Sequence, residues 1–221
     1  MRRLKPVVRL LFGWLAFFLL LQLPVAAQEN WTLRKNDKGI QVYSRKTDSF
    51  RINELRVTTV MQAKLSQLVA AITDIQEHEK WVYKALNTKL LKRNSATDLF
   101  YYTEVDAPWP FDNRDVVMRM LVEQDAKTKV VTIHTLNVDN VYPFQKDIVR
   151  ILISRGKWSI MPVSTNQLQI EYRIQVDPGT GVPAWLINFF ATNGPYETFL
   201  HLREHIKLPK YAEARLDYLV N

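Results

Sequence analysis

From Ile40 to Tyr43 apolar and polar side chains alternate, and the alternation resumes from Asn53 to Val60 with Leu55, Val57 and Thr59 on one face. A period of two marks half-buried strands. The turn before the first of them falls at Asn36 to Gly39. The period then changes, because Leu65, Leu68, Val69 and Ile72 recur at helical spacing and predict an amphipathic helix from about Lys64 to Asp74. A second short helix, about Ile75 to Val82, carries Trp81. Strand-like stretches follow at Asn87 to Lys92, Leu99 to Val105, Asp115 to Glu123, Val130 to Asn137, Ile148 to Ser154, Gly156 to Met161 and Leu168 to Val176. Short consecutive strands joined by turns predict an antiparallel sheet.

The end differs in kind. From Pro183 onward, Leu186, Phe189, Phe190, Phe199, Leu202 and Ile206 recur at helical intervals and predict a long terminal helix. Pro183 suits a first helical turn, where a missing N–H does no harm, and Gly194-Pro195 is expected to bend or interrupt the helix. The class is α+β: a curved antiparallel sheet closed by one long apolar helix, an arrangement that leaves room for a cavity between them. Neither a repeat nor a Pro/Gly/Ser-rich linker divides the chain, so one domain is expected.

Charge and hydropathy at the start alter the reading of the whole. Arg2, Arg3, Lys5 and Arg9 precede an almost wholly apolar run, Leu10 to Leu23, and Pro24-Val25-Ala26-Ala27 places small residues where a signal peptidase cuts. Residues 1–27 are read as a signal peptide and residues 28–221 as the domain. An uncleaved anchor competes, but the apolar run is short for a bilayer span. Losing 27 of 221 residues leaves 194, enough for one core, and removing four basic side chains with no acidic one lowers the net charge from +8 to +4. The basic balance therefore implies no nucleic-acid partner. With no cysteine, disulfides and thiol catalysis are excluded.

Three segments carry a family resemblance. Pro108-Trp109-Pro110-Phe111-Asp112-Asn113-Arg114-Asp115-Val116-Val117, then Trp158-Ser159-Ile160-Met161-Pro162 with Gln169-Ile170-Glu171-Tyr172, then Asp177-Pro178-Gly179-Thr180-Gly181-Val182-Pro183-Ala184-Trp185-Leu186-Ile187-Asn188 occur in the order and spacing of the START lipid-transfer domains, which this chain resembles over residues 29 to 216. The resemblance implies a helix-grip fold, like that of the Bet v 1 proteins, around a lipid-sized tunnel, and non-catalytic binding of one hydrophobe. A monomer that touches membranes transiently is expected, and cleavage near Ala27 would place it in the periplasm or outside the cell.

The candidate cavity and lid residues are Glu104, Arg114, Met118, Met120, Arg150, Trp185, Phe189, Phe190, Phe199 and Leu202. Met118 and Met120 share a strand face, and methionine adapts to a flexible apolar ligand as readily as it fills an ordinary core. In sterol-binding members a buried acid pairs with an arginine. Glu104 matches the acid's strand but the arginine's position holds Met120, which favours a phospholipid or fatty-acyl ligand over a sterol unless Arg119, Arg114 or Arg150 reaches Glu104 from elsewhere. The stretch Asn140 to Asp147, with Tyr142, Phe144 and Lys146, is expected to be a gating loop that meets the membrane. His201 and His205 stand four apart on a helix, but a third ligand and the His-Glu-x-x-His pattern are lacking, so surface histidines are expected and no metal. No serine-elbow, phosphate-loop or dinucleotide motif occurs, and no cofactor is expected. A cyclase or aromatase on the same fold, or a sensor that reports its lipid to a protein partner, are the rival readings.

Overall fold

A computed structural model describes residues 30–47 and 50–220; the expected signal peptide lies outside them. Ten strands occur among the described residues: β1 (Thr32–Asp37), β2 (Ile40–Thr47), β3 (Phe50–Gln62), β4 (Ala85–Ser95), β5 (Asp98–Val105), β6 (Asn113–Gln124), β7 (Val131–Asn137), β8 (Ile148–Arg150), β9 (Ile153–Ser164) and β10 (Gln167–Asp177). The helices are α1 (Leu65–Thr73), α2 (His78–Trp81), α3 (Ala184–His205) and α4 (Pro209–Ala212), with a 3-10 turn at Ile75–Glu77. The sheet runs β1-β2-β3-β10-β9-β7-β6-β5-β4, antiparallel throughout, and β8 lies parallel on β6.

Alternation decides which face of this sheet is buried. On β7 Val131, Ile133 and Thr135 are buried, as are Trp158 and Ile160 on β9. Helix α1 turns Leu65, Leu68, Val69 and Ile72 into the same core. Its Gln67 side chain serves both ends of a joint: Oε1 accepts from the Lys64 N–H at 3.3 Å, and Nε2 donates to the Ile206 carbonyl at 2.6 Å, just beyond α3. The β1–β2 hairpin turns through Lys38 and Gly39, both at positive φ, a conformation that suits the twist of a two-residue connection.

Helix α3 crosses the sheet and is held at several points. Tyr196, Phe199 and Leu202 are buried, the Phe199 ring stacks on Trp158 with centroids 5.1 Å apart, and Tyr196 donates its hydroxyl proton to Asp37. Arg203 donates to the Lys38 carbonyl at 2.8 Å. This anchoring explains why Gly194-Pro195 does not interrupt the helix as expected. A proline removes one backbone hydrogen bond and crowds one carbonyl; contacts on both sides, from Leu186 to Leu202, keep the axis going.

Three boundaries differ from the sequence expectation. Strand β1 reads TLRKND and carries no apolar alternation, so pairing with β2 and not its own pattern makes it a strand. The expected strand Ile148 to Ser154 is broken: β8 ends at Arg150, Leu152 is exposed and β9 begins at Ile153. The terminal helix ends at His205 and is followed by the separate turn of α4, where Pro209 opens a new helical start.

Candidate functional site

Between the sheet and α3 lies a cavity of about 560 Å³, within the size range of small-molecule sites. The β5–β6 register builds one wall: Tyr101 stands opposite Met118, Thr103 opposite Val116 and Val105 opposite Arg114. All six side chains line the cavity, and Met120 extends the row. Trp81 of α2, Trp158 of β9 and Tyr172 of β10 contribute aromatic surface, and Ile187, Phe190 and Ala191 of α3 close it. Asp106 and Ala107, after β5, and Pro178 and Val182, before α3, line it from loops.

The expected residues divide accordingly. Arg114, Met118, Met120 and Phe190 line the cavity. Phe199 and Leu202 are buried in the helix–sheet seam and do not line it. Trp185, 64% exposed, and Phe189 project from α3 away from the cavity. The reason is helical phase: Ile187, Phe190, Ala191, Gly194 and Thr198 form the inward stripe, and positions 185 and 189 fall on the other side.

Glu104 and Arg150 are also outside the cavity. Side chains alternate along β5, so Tyr102 and Glu104 point to the opposite face from Tyr101 and Thr103. There Glu104 is buried and bound by two amides, Asn87 Nδ2 at 2.8 Å and Asn113 Nδ2 at 2.5 Å. None of the three arginines considered reaches it. Arg119 pairs with Asp98, and Arg114 donates to the Asp112 carbonyl. Arg150 forms a two-pronged pair with Asp115, Nε to Oδ1 at 2.6 Å and Nη2 to Oδ2 at 3.0 Å.

That pair also fixes the expected gating loop. Arg150 donates to the carbonyls of Tyr142 and Pro143, and the Tyr142 ring packs on Tyr102 with centroids 4.7 Å apart. Phe144 is exposed beneath the Arg150 guanidinium. No residue from 140 to 147 lines the cavity. The loop is strapped to the outer face of the sheet because the buried Asp115 there needs a cationic partner.

Sequence reasoning missed Tyr101, Trp158, Tyr172 and His78 as wall residues: Trp158 and Tyr172 stood in a segment that carries the family resemblance, and Tyr101 and His78 are placed by the β5–β6 pairing and by the helix that carries Trp81. The Trp81 Nε1 proton, buried in the wall, has no hydrogen-bond acceptor among the described residues. His78 beside it donates from Nε2 to the Ile72 carbonyl at 2.8 Å and meets Trp81 and Tyr101 edge to face. Burial pushes the His78 imidazole down from its usual 6.5 to about 4, so it is neutral at pH 7. Its folded-state pKa lies below the unfolded one, so stability is complete above about pH 6.5 and is lost as pH falls towards 4. The contribution is about 3 kcal/mol over that window. Urea midpoints at pH 7 and pH 4 are expected to converge in His78→Leu relative to wild type; the same pH dependence in both would disprove it. His205, expected at the surface, is buried: Nε2 lies 3.2 Å from the Tyr211 hydroxyl, and burial lowers its pKa as well.

Sheet, gripping helix and enclosed apolar space define a helix-grip domain with an internal binding cavity. The START domain family profile matches residues 19–211, and the chain belongs to that family. It is 31% identical over 179 residues to an uncharacterized protein of Pseudomonas aeruginosa, covering 80% of this chain and 87% of that one. It is 26% identical over 179 residues to the phosphatidylcholine transfer protein of Rattus norvegicus, with 79% of this chain and 82% of that one covered. The crystal structure of a STAR-related lipid transfer protein fragment from Xanthomonas axonopodis is similar at 29% identity, with a TM-score of 0.73 over 80% of this chain and 98% of the other.

Proposed function

We propose that the domain binds one membrane-derived lipid in the cavity, leaves it chemically unchanged and carries it between membranes as a monomer. The observation that carries this reading is the apolar cavity itself, enclosed by α3 and walled by Met118, Met120 and aromatic rings. Burial of apolar surface stabilises by about 25 cal/mol per Å², so part of one acyl chain suffices to hold a ligand. The names of the rat and Xanthomonas relatives, both transfer proteins, support the same reading.

A phospholipid or fatty-acyl ligand fits better than a sterol. Met120 lines the wall opposite Leu99, and Glu104 lies on the far face, so no acid–arginine pair spans these strands inside the cavity. Membrane contact is supported by Trp109, 92% exposed on the loop that follows the cavity-lining Asp106 and Ala107, and by the outward Trp185 and Phe189. An aromatic ring in such a position suits a membrane interface. Among the described residues no helix is long and apolar enough to cross a membrane. Cleavage after Ala27 would place the carrier in the periplasm or outside the cell.

Protein purified under native conditions is expected to yield one lipid per chain on organic extraction and mass spectrometry. Met118→Trp, which fills the cavity, should reduce lipid uptake from vesicles at least about tenfold, the added ring competing directly with the ligand for the same volume. Absence of lipid from repeated extractions, together with no uptake from labelled vesicles, overturns the proposal.

A further inference from the structure

Arg114 is a buried cation without a counter-charge among the described residues. It is only 8% exposed, its Nη1 donates to the Asp112 carbonyl, and its Nε has no partner among the described residues. Among the described residues no carboxylate pairs with it, because the neighbouring acids are engaged or turned away. Asp115 is on the opposite face with Arg150, Asp106 accepts from Lys84 at 2.6 Å, Asp112 is exposed, and Glu104 is held by two asparagines. Leaving a charge buried without a counter-ion is among the costlier arrangements in a folded protein. An arginine fork, moreover, matches the oxygens of a carboxylate or a phosphate.

Its position gives the charge a direction. Arg114 heads the inward row Arg114, Val116, Met118, Met120, whose other members are apolar, and it faces Val105, next to the loop residues Asp106 and Ala107. Six residues of strand span roughly 20 Å at about 3.3 Å each. The β6 row is therefore charged at one end and apolar along the rest, the pattern of an acid-headed amphiphile.

We infer that Arg114 is the anion subsite of the cavity, and that the ligand is a lipid carrying a phosphate or carboxylate oxygen at this guanidinium, with its chain running towards Met120. This rests on the lipid-carrier reading and narrows it to acid-bearing lipids in one orientation.

The test measures uptake from phosphatidylcholine vesicles doped with labelled phosphatidic acid, a labelled fatty acid, or a labelled diacylglycerol with the same acyl chains and no acid. Wild-type protein is expected to prefer at least one acidic lipid over the diacylglycerol by about ten- to a hundredfold, the range of a charge-assisted hydrogen bond. Arg114→Met should lower uptake of the acidic lipids by that factor more than uptake of diacylglycerol, so that the preference disappears, whereas Arg114→Lys should retain part of it. Whichever acid loses more in the methionine variant identifies the group bound, and inorganic phosphate at millimolar concentration should not displace the lipid. Equal wild-type uptake of acid and neutral lipids overturns the inference without any variant, as does a methionine variant that weakens all three alike. Displacement by inorganic phosphate alone would also overturn it, since the site would then bind the free ion. Wild-type protein that takes up none of the three overturns the carrier reading first, a result distinct from uptake that ignores the acid.

Discussion

Arg150→Met is expected to lower the melting temperature by roughly 6–20 °C, following from about 3–5 kcal/mol for a broken buried pair and about 2–4 °C per kcal/mol at this chain length. The substitution leaves Asp115, fully buried, without the two-pronged Arg150 pair. It also removes the donors that hold the carbonyls of Tyr142 and Pro143. Hydrogen exchange at residues 140–150 should accelerate more than elsewhere, since the strap opens locally before the sheet does. Adding Asp115→Leu to the same chain should recover most of the loss, because the buried charge is then gone as well. A drop of less than about 1 kcal/mol for Arg150→Met in urea unfolding, the worth of a surface pair, would show that water reaches Asp115.

Phe199→Ala should cost about 3–5 kcal/mol, the range for removing a fully buried aromatic side chain. Phe199 lies against Trp158 at 5.1 Å and Tyr172 at 6.0 Å, and both of those rings form cavity wall on their other side. The hole would therefore adjoin the ligand space, and α3 should lose exchange protection over its second half. Trp185→Ala on the same helix is larger in volume removed yet should change stability by no more than about 0.5 kcal/mol, because Trp185 is largely exposed. Urea unfolding of the two variants side by side checks both; similar losses would mean that α3 is rotated from the phase described.

The contrast between those two positions shows where sequence reading stops. The pattern Leu65, Leu68, Val69, Ile72 specifies α1 and its buried face without outside help, and the alternation Val116, Met118, Met120 gives the inward row of β6. Along α3 aromatic residues occur on both sides, so hydrophobicity marks the helix without giving its rotation. Tertiary contacts, among them those with Trp158, Tyr172 and Asp37, choose which rings face in. Glu104 was misplaced for a related reason. A strand assignment says which residues share a face, but which face is concave depends on the sheet's partners. Strand β1 and the break at Leu152 were invisible because long-range pairing makes them, and the strap over Asp115 was invisible because the paired residues lie 35 positions apart.

The sheet is open, and its two borders are β1 and β4. A carrier that exposes rows of free N–H and C=O groups risks stacking border to border with other copies of itself. Both borders here are irregular. Pairing of β4 with β5 slips between Leu86 and Lys89, between Leu90 and Lys92 and between Arg93 and Ser95, and β1 slips between Leu33 and Lys35. A second copy approaching β4 would meet Lys89, Lys92 and Arg93 on a backbone with no even ladder to match, and like charge on its own β4. The protein thus keeps its edges unzippable while its interior stays hollow, so that an unloaded molecule, short of core, has no easy route to satisfy itself against a neighbour.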